Sequence, residues 1–176
     1  RALHRENPGV RVEVLIPDFL GDEAALRTVL EARPDVLNHN METVKRLYKR
    51  VRPAGRYERS LQLLRNVTAF AEGIPAKSGL MVGVGETREE VEELIRDLHA
   101  HGVDTITIGQ YLAPSTSHLP VERYVTPEEF KTYESIARAK GFLMVSASPL
   151  TRSSYHADAD FEKLQAARAA KIKSMS

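Results

Sequence analysis

At 176 residues, with 42% hydrophobic and 28% charged side chains, the chain has the length and composition of one globular domain, which excludes a disordered or fibrous polymer. Twenty-five Lys and Arg against 24 Asp and Glu leave a formal net charge of +1, so nothing global points to nucleic acid or an acidic membrane surface. Cysteine is absent, which excludes a disulfide framework, a thiol nucleophile and any thiolate metal site built by these residues alone. No apolar run approaches the roughly 20 residues that cross a bilayer. The opening RALHRENPGV lacks a signal peptide's hydrophobic region, so the default expectation is the cytosol, or a mitochondrial or plastid matrix in a eukaryote.

In chain order, RALHRENPGVRVEVLIPDF reads as the tail of a helix, an Asn-Pro-Gly turn and a strand, so residue 1 is expected to lie inside a longer protein. Short apolar, β-branched runs of strand length recur at 12–19, 35–40, 76–85, 104–112 and 142–148. Segments with helical spacing lie between and around them at 22–32, 41–51, 59–73, 87–102 and 126–141. Thr87 with Glu90, and Thr126 with Glu129, have capping-box spacing; Pro127 suits a first helical turn, and Gly73, Gly102 and Gly141 suit helix ends. Alternating buried strands and helices predict an α/β fold with parallel strands, either an open doubly wound sheet or part of a barrel. Both place function at the C-terminal strand ends, where Asp18, Asn38, His39, Asn40, Gly85, Glu86, Gln110, Tyr111, Ser146 and Ser148 gather. Residues 1–148 are taken as the body and 149–176 as a C-terminal tail.

Four stretches carry candidate chemistry. In LNHNMET, alternation puts Asn38 and Asn40 on one face and His39 on the other. Asn40 either caps a helix starting near Met41 or joins Glu42 in holding a hydroxyl-rich ligand such as a ribose. GLMVGVGET carries Gly79, Gly83 and Gly85 with Glu86; it is either a tight strand-to-helix turn or a strand passing beneath a nucleoside, and lacks G-x-G-x-x-G spacing. KRLYKRVRPAGRYER is either a solvated face or a binding loop, with Arg50, Arg52 and Arg56 as candidates to dock an acidic partner or a carboxylate. His99, His101 and His118 lack ligand spacing, and G-x-S-x-G is absent. TRSSYHA, residues 151–157, reads on physics alone as a turn-forming loop.

Taken in order, EVLIPDF, NHNMETV, RVRP, RSLQLL, KSGLMVGVGET, TIGQYLAPS, HLPVERYVTPEEF and RSSYHA closely resemble the lipoyl synthase family of radical S-adenosylmethionine enzymes, and the resemblance spans essentially the whole chain. It corresponds to the family's C-terminal part; the CxxxCxxC motif and a second cysteine trio belong to the part upstream. The resemblance implies the later strands of a partial (β/α)6 barrel. It also implies two [4Fe-4S] clusters in the full-length enzyme, a deoxyadenosyl radical, and insertion of two sulfur atoms at C6 and C8 of a protein-bound octanoyl chain, with the auxiliary cluster as sulfur donor.

By position, the resemblance makes Asn40 and Glu42 ribose contacts, lays Gly79, Gly83, Gly85 and Glu86 along S-adenosylmethionine, and makes Ser154 of RSSY the non-cysteine ligand of the auxiliary cluster. A hard oxygen ligand holds iron less firmly than thiolate, which suits an iron that must depart. Arg152 would orient that loop, and Ser148 and Thr151 stand where the family pattern leads one to expect glycine and an aliphatic residue. Implied partners are an octanoylated lipoyl carrier domain (H protein or E2 lipoyl domain) and an electron donor such as ferredoxin or flavodoxin. The isolated chain would be inactive, and half a barrel would be marginally stable or self-associating. Two rivals stand beside this: another sulfur inserter of the biotin synthase type, and a cluster-free half-barrel module that binds a lipoyl carrier protein.

Overall fold

The computed structural model describes residues 1–71, 73–152, 164 and 166–168. Its strands are β1 (Glu13–Leu15), β2 (Val36–Asn38), β3 (Ala76–Val82), β4 (Thr105–Gln110) and β5 (Met144–Ser148). They form one parallel sheet in the order β1-β2-β3-β4-β5. A doubly wound sheet reverses its strand order at a switch point. This one advances strand by strand, which is the winding of a barrel and settles the alternative that hydrophobic periodicity left open.

The helices are α1 (Ala2–Glu6), α2 (Glu23–Glu31), α3 (Tyr48–Val51), α4 (Tyr57–Phe70), α5 (Arg88–Ala100) and α6 (Pro127–Lys140). Both expected capping boxes form: Thr87 and Thr126 accept from the N–H groups of Glu90 and Glu129, whose carboxylates accept from the cap N–H groups in return. Gly141 ends α6 with φ 102, a left-handed conformation open to glycine at little cost.

Register assigns each strand residue to a face. Leu37, Ala76, Leu80, Ile106, Ile108 and Val145 share the helix-covered face and are buried against Leu26, Leu64, Leu94, Ile95, Leu98 and Phe130. Each such Leu, Ile, Val or Phe side chain contributes about 1.5–3 kcal/mol on burial, so this face holds the fold. The opposite face is polar. Lys77 Nζ lies 3.0 Å from a Glu13 carboxylate oxygen, and Asn38 Nδ2 donates to the other at 3.1 Å. Thr105, Gly79, Thr107, Gly109, Ser146 and Ser148 continue this face across β3, β4 and β5. A buried lysine is tolerated because its charge is paired.

One expected element is corrected. No helix runs over 41–51: Met41 to Val44 form an irregular segment that bends at Thr43, a 3-10 turn covers Lys45–Leu47, and only Tyr48–Val51 is α-helical. Glu42 instead makes a one-residue parallel bridge to Leu80. Asn40 therefore caps nothing.

Candidate functional site

The polar strand ends converge on a cavity of about 230 Å³ at the C-terminal edge of the sheet. Its wall includes Asn40 and Glu42 from the segment after β2, Gly79 and Met81 from β3, Thr107 and Gly109 from β4, and Thr151 and Arg152 from the segment after β5. Asn38, His39 and Asn40 divide between faces as alternation requires. Asn38 pairs with Glu13 on the polar face, while His39 is buried among the helices, its Nδ1 2.8 Å from the Ile16 carbonyl and its Nε2 2.9 Å from Ser60 Oγ. Burial, aided by the nearby Arg52 charge, holds the His39 imidazole below its usual pKa and so neutral.

Glu42 reaches the cavity through an unusual backbone. Its φ is 69, a left-handed value uncommon outside glycine, held by its N–H donating to the Gly79 carbonyl at 3.0 Å and its carbonyl accepting from Met81 at 2.9 Å. Burial pushes the Glu42 carboxyl up, and a hydrogen bond from Asn40 and the charge of Arg52 oppose that rise. The side-chain oxygen of Asn40, Oδ1, is buried and accepts no hydrogen bond. An orphaned acceptor and a half-buried carboxylate facing a cavity are unfavourable unless a ligand's hydroxyl or amine groups complete them.

The glycines separate. A side chain at Gly79 would displace its neighbours, since a Cβ would sit 2.6 Å from Thr107 Oγ1 and 3.0 Å from Asn40 Oδ1; its bareness lets those two oxygens lean over the strand. Gly83, Gly85 and Glu86 stand outside the cavity wall. Glu86 is buried with both carboxylate oxygens occupied by its own turn: Gly83 N–H donates at 2.6 Å and Val84 N–H at 3.0 Å. Gly83 itself packs against Gln110 and the Arg123 carbonyl.

The arginine run also divides. Arg50 is half-exposed and lies 3.4 Å from Glu122, and Arg56 donates to the Gly55 and Pro53 carbonyls on the surface. Arg52 turns inward and donates to the Asn40 carbonyl at 2.7 Å. Arg59 joins α4 to the end of β1 through Asp18, Nε to carboxylate at 2.8 Å. Burial raises the Asp18 carboxyl, but the Arg59 hydrogen bond, the Leu20 N–H and the Arg59 charge outweigh it and hold the group below the usual carboxylate range.

Thr107, Gly109, Thr151 and Arg152 were not singled out as ligand contacts from sequence. Strand alternation could have found the first two, because they share the face of Gly79 on the neighbouring strand. Thr151 is buried, its hydroxyl 2.9 Å from Ser148 Oγ and 3.2 Å from Ser146 Oγ, so the two departures from the expected glycine and aliphatic residue bond to each other. Its carbonyl crosses directly over Gly109, where any Cβ would collide, and Arg152 Nη1 donates to that carbonyl at 2.7 Å. Ser154, with Ser153, Tyr155 and His156, lies outside the described residues.

A sequentially wound parallel sheet, helices on one face and a polar cavity at the C-terminal strand ends define a barrel-type α/β protein. Methylornithine synthase shares this fold with a TM-score of 0.59 at 16% identity, over 88% of this chain and 54% of that one. Phosphonopyruvate hydrolase (TM-score 0.50, 13% identity, 82% and 50% covered) and 2,3-dimethylmalate lyase (0.50, 16%, 96% and 60%) share it as well. The chain spans 50–60% of the length of these structures.

The chain belongs to the Radical SAM superfamily, whose family model matches residues 1–98. Membership implies, in general, an enzyme that uses S-adenosylmethionine with a [4Fe-4S] cluster. The adenosyl ligand fits what is present, through the orphaned Asn40 oxygen, the half-buried Glu42 carboxylate and the bare Gly79 strand. At about 230 Å³ the cavity lies below the roughly 300–1,000 Å³ of complete ligand sites, so it has room for only part of such a ligand. The cluster does not fit these residues: the chain has no cysteine, and no group of three or more His, Asp or Glu able to hold a metal occurs among the described residues. No described helix is long and apolar enough to cross a membrane.

Proposed function

We propose that the chain is the C-terminal portion of a lipoyl synthase, with Asn40 and Glu42 binding the ribose hydroxyls of S-adenosylmethionine. Gly79 lets the ligand lie against β3. The reading is supported above all by one observation: Thr151 and Arg152, which lead directly into Ser153 and Ser154, line the same cavity as Asn40, Glu42 and Gly79. In the chemistry that the resemblance implies, the adenosyl radical and the auxiliary cluster act on the same octanoyl chain, which favours such a juxtaposition. Bound S-adenosylmethionine would supply the adenosyl group for hydrogen abstraction. The part of this chain is to accept hydrogen bonds from the ribose and to hold Thr151 and Arg152 at the cavity wall. Arg50 and Arg56, on the surface near the cavity-forming segment, are proposed to meet an acidic octanoylated lipoyl carrier domain, with reducing equivalents from a ferredoxin or flavodoxin.

The full-length protein, anaerobically loaded with iron and sulfide and supplied with S-adenosylmethionine, reductant and an octanoylated carrier domain, is expected to yield a product heavier by two sulfur atoms in mass spectrometry. Ser154→Ala is expected to lower bound iron and abolish that product. Unchanged iron content and product in the variant would remove the ligand role. Carrier binding without sulfur insertion by the loaded wild type would favour the cluster-free binding module instead.

A further inference from the structure

Arg52 carries a charge whose place is unexplained by carrier docking. Its Nη1 donates to the Asn40 carbonyl at 2.7 Å and to the Tyr48 hydroxyl at 3.0 Å. Tyr48 donates in turn to Ser60 Oγ at 2.8 Å, and Ser60 Oγ lies 2.9 Å from His39 Nε2. With His39 neutral and its Nδ1 proton on the Ile16 carbonyl, every hydrogen bond in this chain runs the same way, from the guanidinium to the end of β1. Tyr48, Ser60 and His39 are all buried, where such a polarised chain gains most and a broken link costs most.

The chain's anchor is the peptide between Asn40 and Met41, one residue before the left-handed Glu42. Arg52 is also the cationic group that acts on the Glu42 carboxylate against the effect of its burial. The other charged residue in the cavity wall is Arg152, from the segment after β5; β3 and β4 contribute uncharged residues to that wall among the described ones.

We infer that Arg52 is a positioning residue for the cavity: it clamps the Asn40 carbonyl and sets its charge beside Glu42, so that both side chains stand ready for a ligand's hydroxyls. This rests on the cavity's being an adenosyl site. Arg52 touches no ligand atom in this account. It acts through Asn40 and Glu42, and its loss matters more as protons compete for Glu42.

The test measures S-adenosylhomocysteine affinity of the full-length protein by calorimetry as a function of pH, from neutral into the acid range where protons compete for the Glu42 carboxylate. Arg52→Met is expected to bind about tenfold more weakly at neutral pH, the effect of losing one charge-assisted contact, and to lose further affinity on acidification from a higher pH than wild type. Arg52→Lys, which keeps the charge and one donor, is expected to recover most of the affinity and the wild-type acid limb.

An equal loss at every pH with no recovery by lysine would mean a purely structural role and would overturn the inference, as would wild-type binding by Arg52→Met. Asn40→Ala and Glu42→Gln separate the two levels. If both bind as wild type, the adenosyl reading itself fails; if they lose affinity while Arg52→Met does not, the role of Arg52 alone fails.

Discussion

Two strand-to-helix connections in this protein carry a glutamate at nearly the same place, and they use it in opposite ways. After β3, Glu86 folds back so that Gly83 and Val84 N–H groups occupy its carboxylate, and the turn is complete in itself. After β2, Glu42 is pushed by a left-handed backbone toward the cavity beside an Asn40 oxygen with no partner. The first turn has spent its acceptors on stability, and the second holds them in reserve at some energetic cost. A carboxylate at a C-terminal strand end is thus a candidate ligand contact only when its own backbone leaves it unsatisfied.

The largest test of this difference falls on the closed turn. Gly83→Ala adds a methyl at φ 102 that collides with the Gln110 side chain and the Arg123 carbonyl, and is expected to cost about 3 kcal/mol or more in denaturant unfolding. Glu86→Ala, leaving two buried N–H groups unpaired, is expected to cost about 2–4 kcal/mol. At the open site, the nearest atoms that Gly79→Ala meets belong to the Thr107 and Asn40 side chains, not to backbone, so it fits once those two side chains shift. It is expected to cost about 1 kcal/mol of stability while weakening S-adenosylhomocysteine binding at least about tenfold. Equal destabilisation by Gly79→Ala and Gly83→Ala would erase the distinction between the two turns.

The smallest effect is in pH. Glu42 has a raised folded pKa, so its ionisation opposes folding, and its contribution becomes more favourable as pH falls through that value. Asp18, another strand-end carboxylate spent internally, has a lowered folded pKa. Its stabilisation is present above the unfolded value of about 3.9 and is lost as pH falls through the folded one. Unfolding free energies of Glu42→Gln and Asp18→Asn, measured against the parent from about pH 3 to 7, should therefore diverge with opposite slopes.

The sheet was legible because β-branched runs and capping boxes are local signals: Thr87 and Thr126 cap as their spacing predicts, and each of the five runs contains a strand. The 41–51 segment misled because Met41, Val44, Leu47 and Tyr48 recur at helical spacing, yet all four are buried by long-range packing. The pairing of Glu42 with Leu80 and the bond from Met41 N–H to Ser78 Oγ join residues nearly 40 positions apart, which no local periodicity encodes. Asn40 and Glu42 were readable as a pair from residue type and strand-end position, and Gly79 joined them through the resemblance. The exclusion of Gly83, Gly85 and Glu86 from the wall was not, because it depends on which way one carboxylate folds. Nor could sequence tell that Arg52 turns inward while Arg50 and Arg56 stay at the surface.

The crossing of the Thr151 carbonyl over Gly109 has a consequence for engineering. The route by which the chain departs toward RSSY is cut into a neighbouring strand some 40 residues earlier, as a groove one side chain wide. Grafting those four residues onto another barrel would carry the letters without the track, because the crossing at Thr151 needs a bare position at the matching point of the recipient's own strand.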